Sequence, residues 1–277
     1  MDESIPDYGK VLDDLVQVAL AGGKMILAGA ETIHQRNNNA VKEKLNSTDL
    51  VTETDEAVER TVMGLLKAKY PSYRFIGEES NKNEPLTNEP TFICDPIDGT
   101  MNFVHGHPYV SISLGLSYMK RPVVGVVYNP FYHHLYTGAV GSGAFFEDFR
   151  GKRQLPMRHS TTPLEALSAC LILVEWGKER CGVNFETTVE TFKNLSRQEG
   201  GFVHDLRTFG SAALNLCTVA TGAGDLCWGG GWDAWDVCAG WAILLEAGGK
   251  MVDGNPSASL DEPPLGGKRF LAGKSVP

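Results

Sequence analysis

Hydrophobic residues recur with helical spacing in two stretches near the start of the chain. A helical period predicts one long amphipathic helix over about residues 7–31 and a second over about residues 54–69, with Pro71 beyond its end. Asp55 then lies in the first turn of the second helix. The inward positions of the first helix are Leu12, Leu15, Val16, Ala19, Gly23, Ile26 and Leu27, and those of the second are Val58, Val62, Leu65 and Leu66.

Shorter apolar or alternating runs, bounded by turn residues, predict strands in the rest of the chain. In the first half they lie near Phe75 and Phe92 and at residues 110–119, 123–128 and 135–139, with Phe145 and Phe146 after a glycine turn. In the second half, strands near Leu171, Phe202, Met251 and Phe270 and at 225–228 alternate with helices at about 185–195, at 211–221 and from Asp236 onward. This mixed order predicts α/β or α+β layers rather than a pure βαβ repeat.

Length and composition fit one large hydrophobic core. The chain has 277 residues, of which 42% are hydrophobic, and length alone permits one or two domains. We find no linker, charge block or internal repeat in the sequence. It therefore predicts a single domain over residues 1–277, with pseudo-halves at about 1–150 and 151–277.

The charge balance excludes two classes of partner. A net charge of −9 and a pI near 5.3 argue against nucleic acid and against an anionic membrane surface. The six cysteines show no CxxC spacing, which is typical of core thiols in a reducing compartment. The polar, acidic start is unlike a signal peptide, and no apolar run reaches the roughly 18 residues of a membrane span. We therefore expect a cytoplasmic protein.

The candidate chemistry centres on the turn Asp95-Pro96-Ile97-Asp98-Gly99-Thr100, which follows the apolar run Thr91-Phe92-Ile93-Cys94. The proline biases the preceding residue away from helix, so the chain leaves the sheet there with two carboxylates at the strand end. The glycine allows close approach of a ligand to the backbone, and amides beyond it form an anion seat if a short helix begins.

Two further segments supply acids that the turn lacks. Glu78 follows the strand-like Arg74-Phe75-Ile76, and Asp236 opens an apolar helical run. If these acids converge with Asp95 and Asp98, each pair about 4 Å apart repels by about 4 kcal/mol at an effective dielectric near 20, so cations or protons must enter. All-oxygen ligands without Cys or His favour Mg²⁺ over zinc or copper.

Simpler interpretations compete for the same residues. Aspartates are common in turns, and Asp236 would also suit the first turn of a helix, where it complements the dipole. Asp233 is a weaker ligand candidate than its neighbour. The histidines show no HExxH spacing, and Gly229-Gly230-Gly231 lacks the spacing and lysine of a P-loop.

Three motifs in order carry a family resemblance: Gly77-Glu78-Glu79-Ser80, Asp95-Pro96-Ile97-Asp98-Gly99-Thr100 and Trp235-Asp236-Val237-Cys238-Ala239-Gly240. With the segment from Asp49 to Asp55, and Lys44 upstream, they resemble the inositol monophosphatases, which are Mg²⁺-dependent, Li⁺-sensitive phosphatases. The resemblance runs from about Leu12 to about Ala272. It implies an αβαβα sandwich of the inositol monophosphatase and fructose-1,6-bisphosphatase type, a homodimer, and hydrolysis of inositol monophosphate or a related polyol or sugar phosphate.

The resemblance also implies roles for individual residues. It assigns Glu78, Asp95 and the Ile97 carbonyl to one Mg²⁺ and Asp95, Asp98 and Asp236 to a second, with Glu78 near a third, so that two to three ions occupy the site. Metal-activated water attacks the phosphate, the amides of Gly99 and Thr100 hold it, and Thr100, oriented by Asp55, draws the proton together with Glu78. Remaining substrate contacts fall to Asp98, Ser211, Ala212 and Lys178.

The sequence leaves the substrate open. Inositol-selective members carry a glutamate seven residues before the Trp-Asp aspartate, Asp236 in this chain, whereas this chain has Gly229 there. We therefore expect reduced preference for inositol phosphate and restoration by Gly229→Glu. Sister phosphatases acting on histidinol phosphate, sugar bisphosphates or nucleotide 3′-phosphates share the metal turn. A non-catalytic metal-binding regulatory protein is a further alternative, although every metal-site acid is present.

Overall fold

A computed structural model gives the fold of residues 5–35, 41–43, 50–80, 83–158, 166–255 and 260–274. Lys44 and Asp49, which belong to the family resemblance, lie outside these residues. The chain begins with helix α1, Tyr8–Gln35, followed by the two-stranded antiparallel ribbon of β1, Val41–Glu43, and β2, Leu50–Thr52. Helix α2, Glu53–Lys69, comes next. Both long helices expected from the periodicity are therefore confirmed, each with a bound shifted by one to four residues.

A seven-stranded sheet forms the centre of the first half, with neighbouring strands in chain order. Its first two strands run parallel and the others pair antiparallel. The short helix α3, Thr100–His105, follows the second of them. The strands are β3, Arg74–Gly77; β4, Thr91–Asp98; β5, Ser111–Tyr118; β6, Arg121–Asn129; β7, His134–Ala139; β8, Gly143–Asp148; and β9, Gly151–Gln154.

A second, five-stranded mixed sheet belongs to the second half and has the order β11-β10-β12-β14-β13. Its strands are β10, Leu171–Val174; β11, Asp205–Arg207; β12, Leu226–Gly230; β13, Lys250–Asp253; and β14, Arg269–Gly273. Three helices accompany it: α4, Gly182–Ser196; α5, Ala212–Ala220; and α6, Ala234–Glu246. The strand expected near Phe202 begins only at Asp205, because Phe202 has a φ of 45°, outside the extended region.

The elements stack as five layers. Helices α1 and α2 cover one face of the seven-stranded sheet, α5 and α6 fill the space between the two sheets, and α4 lies against the second sheet. The predicted layered α/β fold is confirmed. The division into one domain with two pseudo-halves stays a prediction.

A row of glycines brings α6 close to the seven-stranded sheet. Gly115, Gly125 and Gly138 are cross-strand neighbours on β5, β6 and β7. A Cβ on Gly125 would lie 2.1 Å from the carbonyl oxygen of Ala239, so any side chain there would displace the helix. The first turn of α6 is thereby held beside the end of β4.

Candidate active site

One cavity of about 750 Å³ opens where the two sheets meet. It lies beside the ends of β4, β10 and β12 and beside the first turns of α3, α5 and α6. Its lining falls into two groups of different chemistry. The first consists of acids and the glycine turn, namely Glu78, Asp95, Ile97, Asp98, Gly99, Thr100 and Asp236; the second is aromatic and basic and includes Trp176, Lys178, Trp228, Trp232, Lys268 and Arg269.

Three carboxylates from two elements meet in the first group. Oxygens of Asp95, Asp98 and Asp236 all lie within 4.8 Å of one another. The first two come from the end of β4 and are 2% and 5% exposed, and the third stands in the first turn of α6, where it accepts a hydrogen bond from the amide of Asp233 at 2.5 Å. The alternative of a capping residue thus describes Asp236 correctly and still leaves it beside the other two acids.

Burial and mutual repulsion make this cluster unfavourable for free anions. Burial, followed by repulsion from Glu78 and then Asp98, holds the pKa of Asp95 well above its usual range. Burial and then Glu78 raise the pKa of Asp236 in the same way. Burial raises the pKa of Asp98 to about 6, and hydrogen bonds from neighbouring donors counteract part of that effect. A bound cation would relieve both costs, because opposite charge favours the ionised acids.

Asp98 is held by the start of α5. It accepts from the amides of Ala212 and Ala213 at 3.1 and 3.0 Å, from the hydroxyl of Ser211, and from that of Ser111 at 3.3 Å. Two of the predicted substrate contacts therefore already donate to this carboxylate. Ala212 still lines the cavity, whereas Ser211 is 1% exposed and lies behind Asp98.

The proposed proton-relay residues are also adjacent. The Thr100 hydroxyl lies 3.4 Å from Oδ1 of Asp55, which is buried in the first turn of α2, and 3.1 Å from the Ile97 carbonyl oxygen. Gly99 precedes α3 with a φ of 96°, a conformation that disfavours any side chain. The backbone there turns directly from the metal motif into the helix, as the sequence indicated.

Glu78 lines the same cavity but does not belong to the three-acid cluster. It follows β3, and its amide donates to the Cys94 carbonyl at 3.2 Å, which continues the pairing of β3 with β4. Its charge nonetheless is the largest single electrostatic influence on Asp95 and Asp236. The structure therefore places it within electrostatic reach of both.

Sequence reasoning missed Glu59, which fixes the loop that carries Glu78. This side chain is 2% exposed and accepts hydrogen bonds from the amides of Glu79 and Ser80 at 2.8 and 2.9 Å and from the Ser80 hydroxyl. The available signal was its position one helical turn after Asp55, on the buried face of α2. Glu59 is a positioning residue for the first motif.

Sequence reasoning also missed Glu175, directly after β10. Its Oε1 accepts from the amides of Phe209 and Gly210 at 2.9 and 3.0 Å and from the side chain of Asn215 at 2.6 Å. Burial raises the pKa of this cavity-lining acid. Glu175 thus fixes the turn that leads into Ser211 and α5, in the way that Glu59 fixes the loop of Glu78.

Two members of the second lining group stand on strands, Trp228 on β12 and Arg269 on β14, and the others lie in the adjoining loops. Arg269 is paired in register with Gly230, and its two terminal nitrogens donate to the side-chain oxygens of Asn255 and Asn184 at 2.8 and 2.9 Å. Lys268 instead forms an ion pair with Asp233. The two neighbouring cations therefore differ: the lysine has a carboxylate partner, whereas amide oxygens hold the arginine.

Trp232 occupies the space beside Gly229. A Cβ on that glycine would lie 2.1 Å from the indole ring of Trp232, which is 7% exposed and stacks on Phe270 at a centroid distance of 6.5 Å. The prediction that Gly229→Glu alone restores a polyol-binding carboxylate therefore meets a steric obstacle. The ring would first have to move.

The donor set fits Mg²⁺. Three carboxylates and the nearby Ile97 carbonyl supply hard oxygen ligands, and the cluster contains neither Cys nor His. The free thiol of Cys94 is fully buried on β4 beside the cluster, where burial raises its pKa, so it stays protonated rather than acting as a soft ligand. The chemistry accessible to such a centre is hydrolysis of phosphate esters.

Comparison with known proteins agrees with this geometry. The model of the inositol monophosphatase family matches residues 7–275. The chain is 50% identical to inositol monophosphatase 2 of Saccharomyces cerevisiae over 218 residues, which cover 77% of this chain and 72% of the relative. It is also 35% identical to protein qutG of Emericella nidulans over 297 residues, covering 98% of this chain and 88% of that protein.

Solved structures give the same result. Inositol monophosphatase from Anabaena (Nostoc) sp. PCC 7120 is 30% identical, with a TM-score of 0.78 over 98% of this chain and 92% of that one. The extragenic suppressor protein suhB from Bartonella henselae is also 30% identical, with a TM-score of 0.79 over 96% and 94%.

Proposed function

We propose, since this chain belongs to the inositol monophosphatase family, that it hydrolyses inositol monophosphate or a related polyol or sugar phosphate. The chain is a phosphoric monoester hydrolase, as its relatives are. The single observation that supports the reaction most is the buried cluster of Asp95, Asp98 and Asp236, whose oxygens lie within 4.8 Å of one another. Bound cations would stabilise the ionised form of such a cluster, and the glycine turn on the same wall would bind phosphate.

Magnesium is the proposed cofactor, at two to three ions per site. Asp95, Asp98 and Asp236 would hold it, together with Glu78 and the Ile97 carbonyl. When bound, Mg²⁺ would stabilise the phosphoryl and leaving-group oxygens as a Lewis acid and would lower the pKa of a water, so that it attacks as hydroxide. Asp95 belongs to both ligand sets that the resemblance implies for the first two ions.

The chain's own residues hold the phosphate and the proton. Gly99 and Thr100 stand at the start of α3 and line the cavity, and their amides would receive an anionic phosphate oxygen. The Thr100 hydroxyl lies 3.4 Å from Oδ1 of the buried Asp55 and 3.1 Å from the Ile97 carbonyl oxygen. With that carbonyl engaged by Mg²⁺, the hydroxyl would donate to Asp55, which would fix its orientation. Thr100 and Glu78 are the groups we propose to take up the proton of the attacking water.

The second wall supports a shifted substrate preference. At the place where inositol-selective members carry a glutamate, this chain has Gly229 covered by the Trp232 ring. One carboxylate that would accept from ring hydroxyls is missing, and such a charge-assisted bond contributes about 1.5–3 kcal/mol. Inositol phosphate is therefore expected to be one substrate among several.

Location and assembly remain part of the proposal. We propose a cytoplasmic homodimer, on the basis of the resemblance and of free, mostly buried cysteines. None of the helices in the described part of the chain combines the length and hydropathy that crossing a bilayer requires.

A panel of phosphate monoesters tests the proposal. Initial rates of phosphate release are measured with Mg²⁺ at its optimum for inositol 1-phosphate, glycerol 3-phosphate and glucitol 6-phosphate, each with and without millimolar Li⁺. We expect turnover of more than one ester and inhibition by Li⁺. Absence of release from every ester would refute the proposed hydrolysis, and full activity in Li⁺ would refute the lithium-sensitive branch.

A further inference from the structure

We propose that the cavity contains a second anion-binding subsite, centred on Arg269 and assisted by Lys178, which takes a carboxylate or second phosphate of the substrate. The inference rests on the proposed function, because it concerns which phosphate esters the same cavity accepts. Its evidence comes from the wall built by β12 and β14, and not from the acidic cluster.

The guanidinium of Arg269 is held in place by hydrogen bonds that engage only some of its donors. Its terminal nitrogens donate one bond each to the Asn255 and Asn184 side chains. An arginine has five N–H donors in a planar fork, and the described residues engage two of them. The remaining donors stand at a cavity wall, in the geometry that binds carboxylate and phosphate oxygens in pairs.

An asparagine side chain separates Arg269 from each of the two nearby acids. Asn184 donates to Glu179 at 3.1 Å, and Asn255 donates to Asp253 at 2.6 Å. Each asparagine therefore presents its oxygen to the arginine and its nitrogen to an acid. Within the described residues the guanidinium has no carboxylate partner, and a ligand anion would be its first.

Lys268 differs from Arg269 in having a carboxylate partner. It precedes Arg269 and is paired with Asp233, so its charge is already compensated. Lys178 lines the same cavity as Arg269. It also favours the ionised form of Asp236, so its ammonium is within electrostatic reach of the acidic cluster. A phosphate at the cluster and an anion at Arg269 would both be near it.

The cavity is large enough for such a ligand. A volume of about 750 Å³ falls in the upper part of the range for small-molecule sites, about 300–1,000 Å³. Trp176 and Trp228 line the space beside the cations. An extended six-carbon polyol with an anion at each end would contact both walls.

Three substrates with one carbon chain test the subsite. Glucitol 6-phosphate, gluconate 6-phosphate and glucitol 1,6-bisphosphate differ only at C1, which carries a hydroxyl, a carboxylate or a phosphate. Initial phosphate release gives kcat/KM for each in the wild type and in Arg269→Gln. We expect the variant to lose at least about tenfold more kcat/KM with an ester that carries a second anion than with glucitol 6-phosphate, mainly through KM.

The choice of C1 group identifies the ligand source. A selective loss for gluconate 6-phosphate assigns a carboxylate, and a selective loss for the bisphosphate assigns a second phosphate. Equal losses for all three esters, or none, would overturn the subsite, since a purely structural arginine would not distinguish them. Arg269→Lys should recover part of the selectivity, and Lys178→Gln, which leaves the asparagine contacts in place, should repeat its direction.

The control is Arg121→Gln, because Arg121 is exposed on β6 and pairs with Glu262 outside the cavity. It should leave all three rates unchanged. If the wild type releases no phosphate from any ester, the proposed hydrolysis fails. Calorimetric binding of glucitol 1,6-bisphosphate and glucitol 6-phosphate in Mg²⁺ then still decides the subsite, since only the former should weaken about tenfold in Arg269→Gln.

Discussion

The two sheets contribute opposite kinds of wall to one cavity. The seven-stranded sheet delivers Asp95 and Asp98, which are 2% and 5% exposed and whose ionised forms a bound cation would stabilise. The five-stranded sheet delivers Arg269 and Gly229, and the loop after β12 delivers the Trp232 ring that covers this glycine. If the acids carry the reaction and the second wall selects the substrate, as we propose, the two properties depend largely on different sheets, and one can change in evolution while the other is kept.

The largest effect should follow from breaking the acidic wall. Asp95→Asn removes a buried charge without changing volume, so we expect kcat/KM to fall at least about 100-fold while the thermal unfolding midpoint is kept or raised. Phosphate release at saturating Mg²⁺ and calorimetric Mg²⁺ binding measure the two parts. Asp205→Asn, at the exposed edge strand β11, is the matched control. Near wild-type turnover of Asp95→Asn would exclude this residue as a metal ligand.

A weaker disturbance of the same wall should come from Glu59. In Glu59→Gln the loop keeps one acceptor oxygen but loses a charge that holds two amides and a hydroxyl. We expect Mg²⁺ affinity to fall about 10–100-fold, as for residues that orient metal ligands. Glu56→Gln, on the same helix with a side chain that is 45% exposed, should leave Mg²⁺ affinity unchanged. If both variants bind Mg²⁺ alike, Glu59 does not position Glu78.

The substrate wall can be altered without the acids. Gly229→Glu alone should lower the unfolding midpoint, because its Cβ would overlap the Trp232 ring. Combined with Trp232→Ala, the new carboxylate gains room, and the ratio of kcat/KM for inositol 1-phosphate over glycerol 3-phosphate should rise about tenfold. Trp232→Ala by itself is the control. An unchanged ratio in the double variant would mean that this strand does not select the polyol.

The smallest expected effect is a pH dependence of stability, and it comes from Asp148, an acid of the same sheet as Asp95 with the opposite pKa shift. Burial works against ionisation of Asp148 on β8, but hydrogen bonds from Arg150 and Arg153 lower its pKa to about 2, whereas burial and acidic neighbours raise that of Asp95. A lowered pKa stabilises the fold above the unfolded value near 3.8, and that stability is lost as pH falls toward about 2. Urea unfolding of Asp148→Asn should therefore converge with wild type below about pH 2 and differ from it above pH 4. A constant difference across that range would show that Asp148 does not titrate with unfolding.

Elements with a strong periodic signal were predictable, and those without one were not. Helices α1 and α2 followed directly from apolar spacing. The edge strand β9, Gly151–Gln154, was missed because its sequence is polar and largely exposed. It therefore lacks the alternation of hydrophobic and polar residues that predicts a strand. The strand expected at Phe202 began later, because the local turn places that residue at a positive φ.

The site divides in the same way. The turn from Asp95 to Thr100 was predictable because its chemistry is written in consecutive residues. Glu59 and Glu175 were not, since their partners are distant in sequence: Glu175 accepts from residues 34 to 40 positions away. Yet Glu175 directly follows an apolar strand, as Asp95 follows four apolar or small residues within its strand, so an acid at a strand end is a signal worth weighing.

The glycine row beneath α6 sets the height of Asp236 above the sheet. Because Gly115 faces Cys238 and Gly138 faces Ile243, a methyl group under the near end would lift the first turn, and one under the far end would tilt it the other way. Substitutions at these glycines, which do not line the cavity, would thus change the distance from Asp236 to Asp95. Alanine at each of the three glycine positions in turn would therefore change the distance between Asp236 and Asp95 by a different amount.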